Sequence, residues 1–142
     1  MAVRMELSRI LIRELNDFQI IELREVLDDE DDDAGRAFPI SIGLPEAQAI
    51  ERRLSGVQVK RPQTHDLLAS VIQTLGASLE SVTVTDLAEG TFYATLDVRD
   101  PQGERIQIDA RPSDAIALGI GLSVPIYVEE HVLEGVQDGE PG

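Results

Sequence analysis

The chain contains no cysteine, so neither a disulfide nor a thiolate metal centre can form part of its chemistry. No apolar run approaches the length that crosses a membrane, and residues 1–9 carry no signal-peptide core. The expectation is a cytoplasmic protein with no membrane partner. Basic residues are scarce, with 12 Lys and Arg against 27 Asp and Glu and a net charge of −15. Such an excess repels a nucleic-acid backbone at long range, the reverse of the usual basic footprint. The densest acidic run, residues 28–33, lacks the spacing, the glycine and the terminal glutamate of a calcium loop. It reads as a solvated loop.

What is present suits one folded unit. The 142 residues, 42 % of them hydrophobic, are enough for a single domain with a real core, expected over residues 1–136 with a flexible tail at 137–142. Residues 5–15 alternate apolar and polar, with a change of phase near Ser8-Arg9 that suggests a bulge. Asn16-Asp17 is turn chemistry and residues 18–26 resume as a strand, so the opening is a hairpin. Residues 37–42 form a third strand, where Pro39 points to an edge. A first helix starts at Pro45-Glu46 with Ala47, Ile50 and Leu54 on one stripe. A second runs from His65 to Leu75, with Leu67, Leu68, Val71, Ile72 and Leu75 at helical spacing. Residues 81–87, 92–98 and 105–109 make a three-stranded meander. Its polar face brings together Tyr93, Asp97, Arg105, Gln107 and Asp109, either as a solvated surface or as a site. Residues 115–122 are apolar or small on every side, so that helix is buried. A short strand at 125–128 and a short helix around His131 finish the chain. The fold class is mixed α/β: a largely antiparallel sheet with an N-terminal hairpin and a central meander, packed by about three helices. Long strands near both ends favour a homo-oligomer, a dimer or larger ring.

Two stretches share one layout. Residues 60–68 read Lys-Arg-Pro-Gln-Thr-His-Asp-Leu-Leu, and residues 111–118 read Arg-Pro-Ser-Asp-Ala-Ile-Ala-Leu. In each, Arg-Pro is followed by a hydroxyl residue, an acid and an apolar helix. One reading is helix capping by Thr64 and Ser113, with Asp66 and Asp114 complementing the helix dipole. The other is that both helix starts present Arg, His and Asp to an anionic ligand. His65 supports the second, because imidazole titrates near neutrality and suits proton transfer.

These two stretches, with Thr91-Phe92-Tyr93-Ala94 between them and Asp109-Ala110 leading into the second, resemble the bifunctional nuclease domain family. The resemblance runs over residues 5–132. It implies a mixed α/β fold, DNase and RNase activity, and nucleic acid as the substrate. Within that implication the shared motifs supply His65, Asp66, Asp109 and Asp114 as candidate catalytic residues. They also supply Arg61, Thr64, Arg111 and Ser113 as candidates for substrate binding. Asp109 and Asp114, with Asp66 as a further candidate, would hold Mg2+ or Mn2+, Arg61 and Arg111 would clamp the phosphate, and His65 would move the proton. No organic cofactor is indicated. The alternative is a non-catalytic binding or assembly module, regulatory or phosphate-binding, in which Arg61–Asp66 and Arg111–Asp114 are structural ion pairs.

Overall fold

The computed structural model describes residues 2–13, 15–27, 35–56 and 60–137. The acidic run at 28–33 and residues 138–142 of the expected tail lie outside them. Among the described residues, alternation of β-branched and aliphatic residues with polar ones produces seven strands: β1 (Ala2–Leu11), β2 (Gln19–Glu25), β3 (Ala37–Ile42), β4 (Ser78–Ala88), β5 (Thr91–Arg99), β6 (Arg105–Ala110) and β7 (Ile126–Glu129). They form one sheet in the order β3-β2-β1-β7-β4-β5-β6. Every neighbouring pair is antiparallel except β4 and β7. The four-residue β7 therefore joins the N-terminal three strands to the meander.

The register of β1 on β2 shifts between Leu7 and Arg9, at the change of phase in the sequence. The strand itself is displaced from the expected span, beginning at Ala2 and ending at Leu11, because its first residues pair with β7. The sheet curls enough that Phe38 on edge strand β3 meets Phe92 on β5, their ring centroids 5.5 Å apart.

Four helices are described: α1 (Leu44–Ser55), α2 (Thr64–Thr74), α3 (Pro112–Leu122) and α4 (Glu130–Gln137). As its composition requires, α3 is the buried one, with Ala115 to Gly119 all inaccessible. It lies against both α1 and α2 and on β4 and β5. Gly119 lets it approach the sheet: a Cβ there would stand 3.2 Å from a methyl of Val82. In α1, Ala47, Ala49 and Ile50 are buried while Leu54 is exposed. The expected stripe thus fails in the last turn, where Arg53 and not Leu54 is turned toward Gly121 of α3. In α2, Ile72 is buried and Leu68 and Ala69 pack against the core, but Leu67, Val71 and Leu75 face outward.

Candidate functional site

Three helix starts converge on one cleft. Pro45 opens α1 and puts Glu46 in its first turn. Arg111 precedes Pro112 and is extended, with φ −70° and ψ 145°, as a residue before proline must be. From there its side chain reaches both ways. Nε donates to Asp114 Oδ2 at 2.9 Å, and Nη2 donates to Glu46 Oε1 at 3.0 Å. The other Asp114 oxygen, Oδ1, lies 3.0 Å from His65 Nε2. The four side chains form a chain from α1 through α3 to α2. They line a cleft of about 370 Å³, together with Arg52 and Thr64. A smaller cavity of about 150 Å³, bounded by Arg53, Asp66 and Leu118, lies on another side of His65. The imidazole between them is only 11 % exposed.

Burial pushes the Asp114 carboxyl up, but hydrogen bonds from Arg111 and His65 outweigh it and hold the group below the usual carboxylate range. The Arg111 guanidinium is raised in turn, by Asp114 first and Glu46 second. An ionised Asp114 can only accept, so His65 Nε2 carries the hydrogen of their bond, and in a neutral ring this leaves the lone pair on Nδ1. That is the tautomer a general base needs.

Asp66 belongs to a separate pair. Its Oδ1 takes a hydrogen bond from Arg53 at 2.9 Å, and its Oδ2 accepts from the Gln63 backbone N–H at 3.1 Å. Arg53, with a side chain 8 % exposed, also donates to the Ala49 carbonyl. The expected Arg61–Asp66 pair is therefore replaced by Arg53–Asp66. Arg61 is exposed and bonds to none of the described residues. Neither hydroxyl is a cap. Gln63 occupies the cap position of α2, with Thr64 as its first helical residue, and Arg111 occupies that of α3, with Ser113 buried inside the first turn. The physical reason differs between them. At α2 the third helical residue, Asp66, reaches back to the chain; at α3 Pro112 takes the first helical position and moves the boundary one residue earlier.

Asp109 stands apart. It pairs in register with Thr95 on the polar face of the sheet, not the helix-covered face, and is exposed. Among the described residues no three acidic or histidine side chains gather where a metal ion could sit. Both oxygens of Asp114 are taken, as are both of Asp66. The arrangement does not fit the Mg2+ or Mn2+ ligand set expected from Asp109 and Asp114.

Glu46 as a partner of Arg111 could not be read from local pattern, since 65 positions separate them. Arg52 was equally hidden: it lines the cleft, and its Nε is buried without a hydrogen-bond partner among the described residues. On the polar sheet face, Asp97 accepts from Ser81, Thr83 and Thr95 at 2.6–2.9 Å, and from Gln107 at 3.5 Å. That cluster makes a satisfied hydroxyl nest, with no direct hydrogen bond to the cleft.

Residues 26–139 match the family model described as the bifunctional nuclease domain. The chain belongs to the bifunctional nuclease domain family. The match takes in the starts of all three cleft-forming helices. Over 98 residues the chain is 50 % identical to an uncharacterized protein of Mycobacterium tuberculosis, a stretch covering 69 % of this chain and 57 % of that protein. It is 24 % identical over 104 residues to Bifunctional nuclease 2 of Arabidopsis thaliana, covering 72 % of this chain and 32 % of the plant protein. Bifunctional nuclease 1 of Oryza sativa subsp. indica is 25 % identical over 81 residues, 56 % of this chain and 24 % of its own. The matched stretch thus spans little more than half the mycobacterial relative, and a third or less of the plant ones.

Proposed function

We propose that this domain hydrolyses phosphodiester bonds of DNA or RNA in the cleft between the starts of α1, α2 and α3. The observation that carries the reading is the His65–Asp114–Arg111 chain. An imidazole, mostly shielded from solvent, is fixed in one tautomer by an ionised carboxylate that an arginine holds in place. His65 Nδ1 would take a proton from the attacking water as the new P–O bond forms, and the imidazolium would return it to the leaving oxygen. Ionised Asp114 stabilises the charged ring in between. Arg111, whose side chain is 65 % exposed, and Arg52, with its unpartnered Nε, are the cations that would meet the phosphate. In a chain of net charge −15 these local cations must supply the anion's binding.

A second reading has its own support. The pairs Glu46–Arg111–Asp114 and Arg53–Asp66 each join two different helices, as structural locks in a non-catalytic binding module would.

Cleavage of labelled single-stranded DNA, double-stranded DNA and RNA separates the two, run with and without Mg2+, Mn2+ or chelator. Loss of a general acid–base group costs on the order of 10²–10⁴ in rate, so His65→Ala, with its fold verified by circular dichroism, is expected to lose at least about 100-fold. Asp114→Asn should lose activity and alter the pH profile, because the ring then has no anion to fix its tautomer. Cleavage unchanged in both variants would place the chemistry elsewhere. No cleavage by the wild type under any ion would favour the binding module.

A further inference from the structure

Aromatic rings are rare in this chain, with three Phe, two Tyr and no Trp, so what each ring covers is informative. Phe38 and Phe92 pack on one another in the core. Phe18 does not: it stands 70 % exposed in the turn between β1 and β2. Gln19, only 1 % exposed, braces that turn from beneath. Its amide nitrogen donates to the carbonyls of Arg13 and Asn16 at 2.9 and 3.0 Å, and its oxygen accepts from the Arg13 N–H. A ring held out on a turn fastened this way is a preorganised platform, which costs little ordering when a ligand arrives.

Phe18 borders two depressions. One, of about 380 Å³, is lined by Phe18, Ile42, Phe92, Pro112 and Ser113 and reaches Arg111. The other, of about 480 Å³, includes Leu15 and Ile20. Arg111 in turn is shared with the His65 cleft. The surface therefore carries a track linked by shared residues: the cleft with His65 and Arg52, then Arg111, then an apolar pocket, then Phe18. Ser113, from the second Arg-Pro motif, lines the pocket and not the cleft.

The chemistry changes along this track. At Arg111, Nε and Nη2 are taken by Asp114 and Glu46, while Nη1 donates to no described residue. That leaves a donor for a phosphate oxygen. In the pocket the only charged lining residue besides Arg111 is Asp17, whose carboxylate repels a phosphate and tolerates a neutral ring. The other walls are aliphatic, aromatic or hydroxyl-bearing, with Ser41 and Thr91 placed to meet a polar edge. Such a lining suits a planar nucleobase. A base can lie on an aromatic side chain only where it is not paired and stacked inside a duplex.

We propose that the Phe18 pocket is a base-stacking subsite. It receives an unpaired nucleobase of single-stranded DNA or RNA while Arg111 binds an adjacent phosphate. The subsite rests on the nuclease reading of the cleft and adds the form of the substrate, single strands in preference to duplex.

Fluorescence anisotropy of a short labelled oligodeoxyadenylate, alone and annealed to its complement, tests it at low salt. His65→Ala protein of verified fold keeps the probe intact. The single strand should bind more tightly than the duplex. Adding Phe18→Ala should weaken single-strand binding by roughly 5- to 150-fold, the usual share of one base stacked on an aromatic ring. Phe18→Trp should retain it. Phe18 is exposed, so its replacement leaves the core packing in place. An oligonucleotide with one abasic position, moved along the strand, gives a second arm. At the position that meets Phe18 the missing base should cost as much as Phe18→Ala, and the two losses should not add. Single-strand binding unchanged by Phe18→Ala, or no binding of the single strand, overturns the subsite. The two readings fail separately. Phe18-dependent binding in a protein whose wild type cleaves nothing keeps the subsite and removes the nuclease. Cleavage that depends on His65, beside binding that ignores Phe18, does the reverse.

Discussion

At the residue scale, the cleft contrasts two aspartates that the sequence presents as equivalents. Asp114 meets His65 and Arg111 at the cleft wall, whereas Asp66 holds Arg53 and the Gln63 amide. Their substitutions should therefore separate stability from activity. Asp66→Ala removes a cap and leaves a nearly buried guanidinium without its anion, and is expected to cost about 1–3 kcal/mol. Asp66→Asn keeps an acceptor for the Gln63 N–H and should cost less. Urea denaturation of both variants beside the wild type checks the order, and an Asp66→Ala as stable as the wild type would show that Arg53 is satisfied without it. The activity losses expected for His65→Ala and Asp114→Asn belong to the same scale. They are read beside a check of stability, because the His65 ring is only 11 % exposed and ionised Asp114 holds both Arg111 and His65.

At the scale of elements, α3 is the part on which the rest depends. It packs against both α1 and α2, rests on β4 and β5, and carries Asp114 in its first turn. Ile116→Ala would remove a fully buried side chain from its centre, and a destabilisation of about 2–5 kcal/mol is expected. A thermal melt within a degree of the wild type would show that the helix is less central than its burial implies. This helix was legible in the sequence, because eight consecutive small or apolar residues leave no polar face. The bulge in β1 was legible too, from the phase change at Ser8-Arg9, as was the meander, from strict alternation. Local pattern did not show what depends on distance in the chain. The parallel insertion of β7 between β1 and β4, the Glu46–Arg111 contact and the choice of Arg53 over Arg61 as partner of Asp66 all follow from how the sheet curls and the helices stack. Asp109 misled for the same reason. Its motif runs straight into Asp114, but one residue lies on a strand's polar face and the other on the helix-covered side. The outward stripe of α2 shows the limit of periodicity: spacing made Leu67, Val71 and Leu75 look like core, and only the neighbours could show that they stay exposed among the described residues.

For the whole molecule, charge acts in two opposing ways as the pH falls. A net charge of −15 repels itself at neutral pH, so added salt, which screens it, is expected to raise the melting temperature there. Against this stand the carboxylates whose charge the fold uses. Arg36 binds Glu25 of β2 and Glu130 of α4 at once, closing the N-terminal hairpin onto the last helix. The Glu25 carboxyl is lowered chiefly by its hydrogen bond from Arg36, and Glu130 is lowered by the same guanidinium. Asp114 is lowered as well. A carboxyl whose folded pKa is depressed contributes stability that is full above its unfolded pKa and disappears as the pH falls through the folded one. Stability should therefore hold steady or rise slightly as the pH falls from neutrality toward about 5, as screened repulsion eases, and then drop below about pH 4, the ordinary carboxylate range. Glu130→Gln gives the discriminating comparison. It loses the ion pair at every pH, so it should melt below the wild type at neutral pH. The two curves should converge in strong acid, where the wild-type pair is protonated too. Melting curves of both proteins across that range read the difference directly. A gap between them that stays constant into strong acid would mean that the glutamate acts through packing and not through its charge on Arg36.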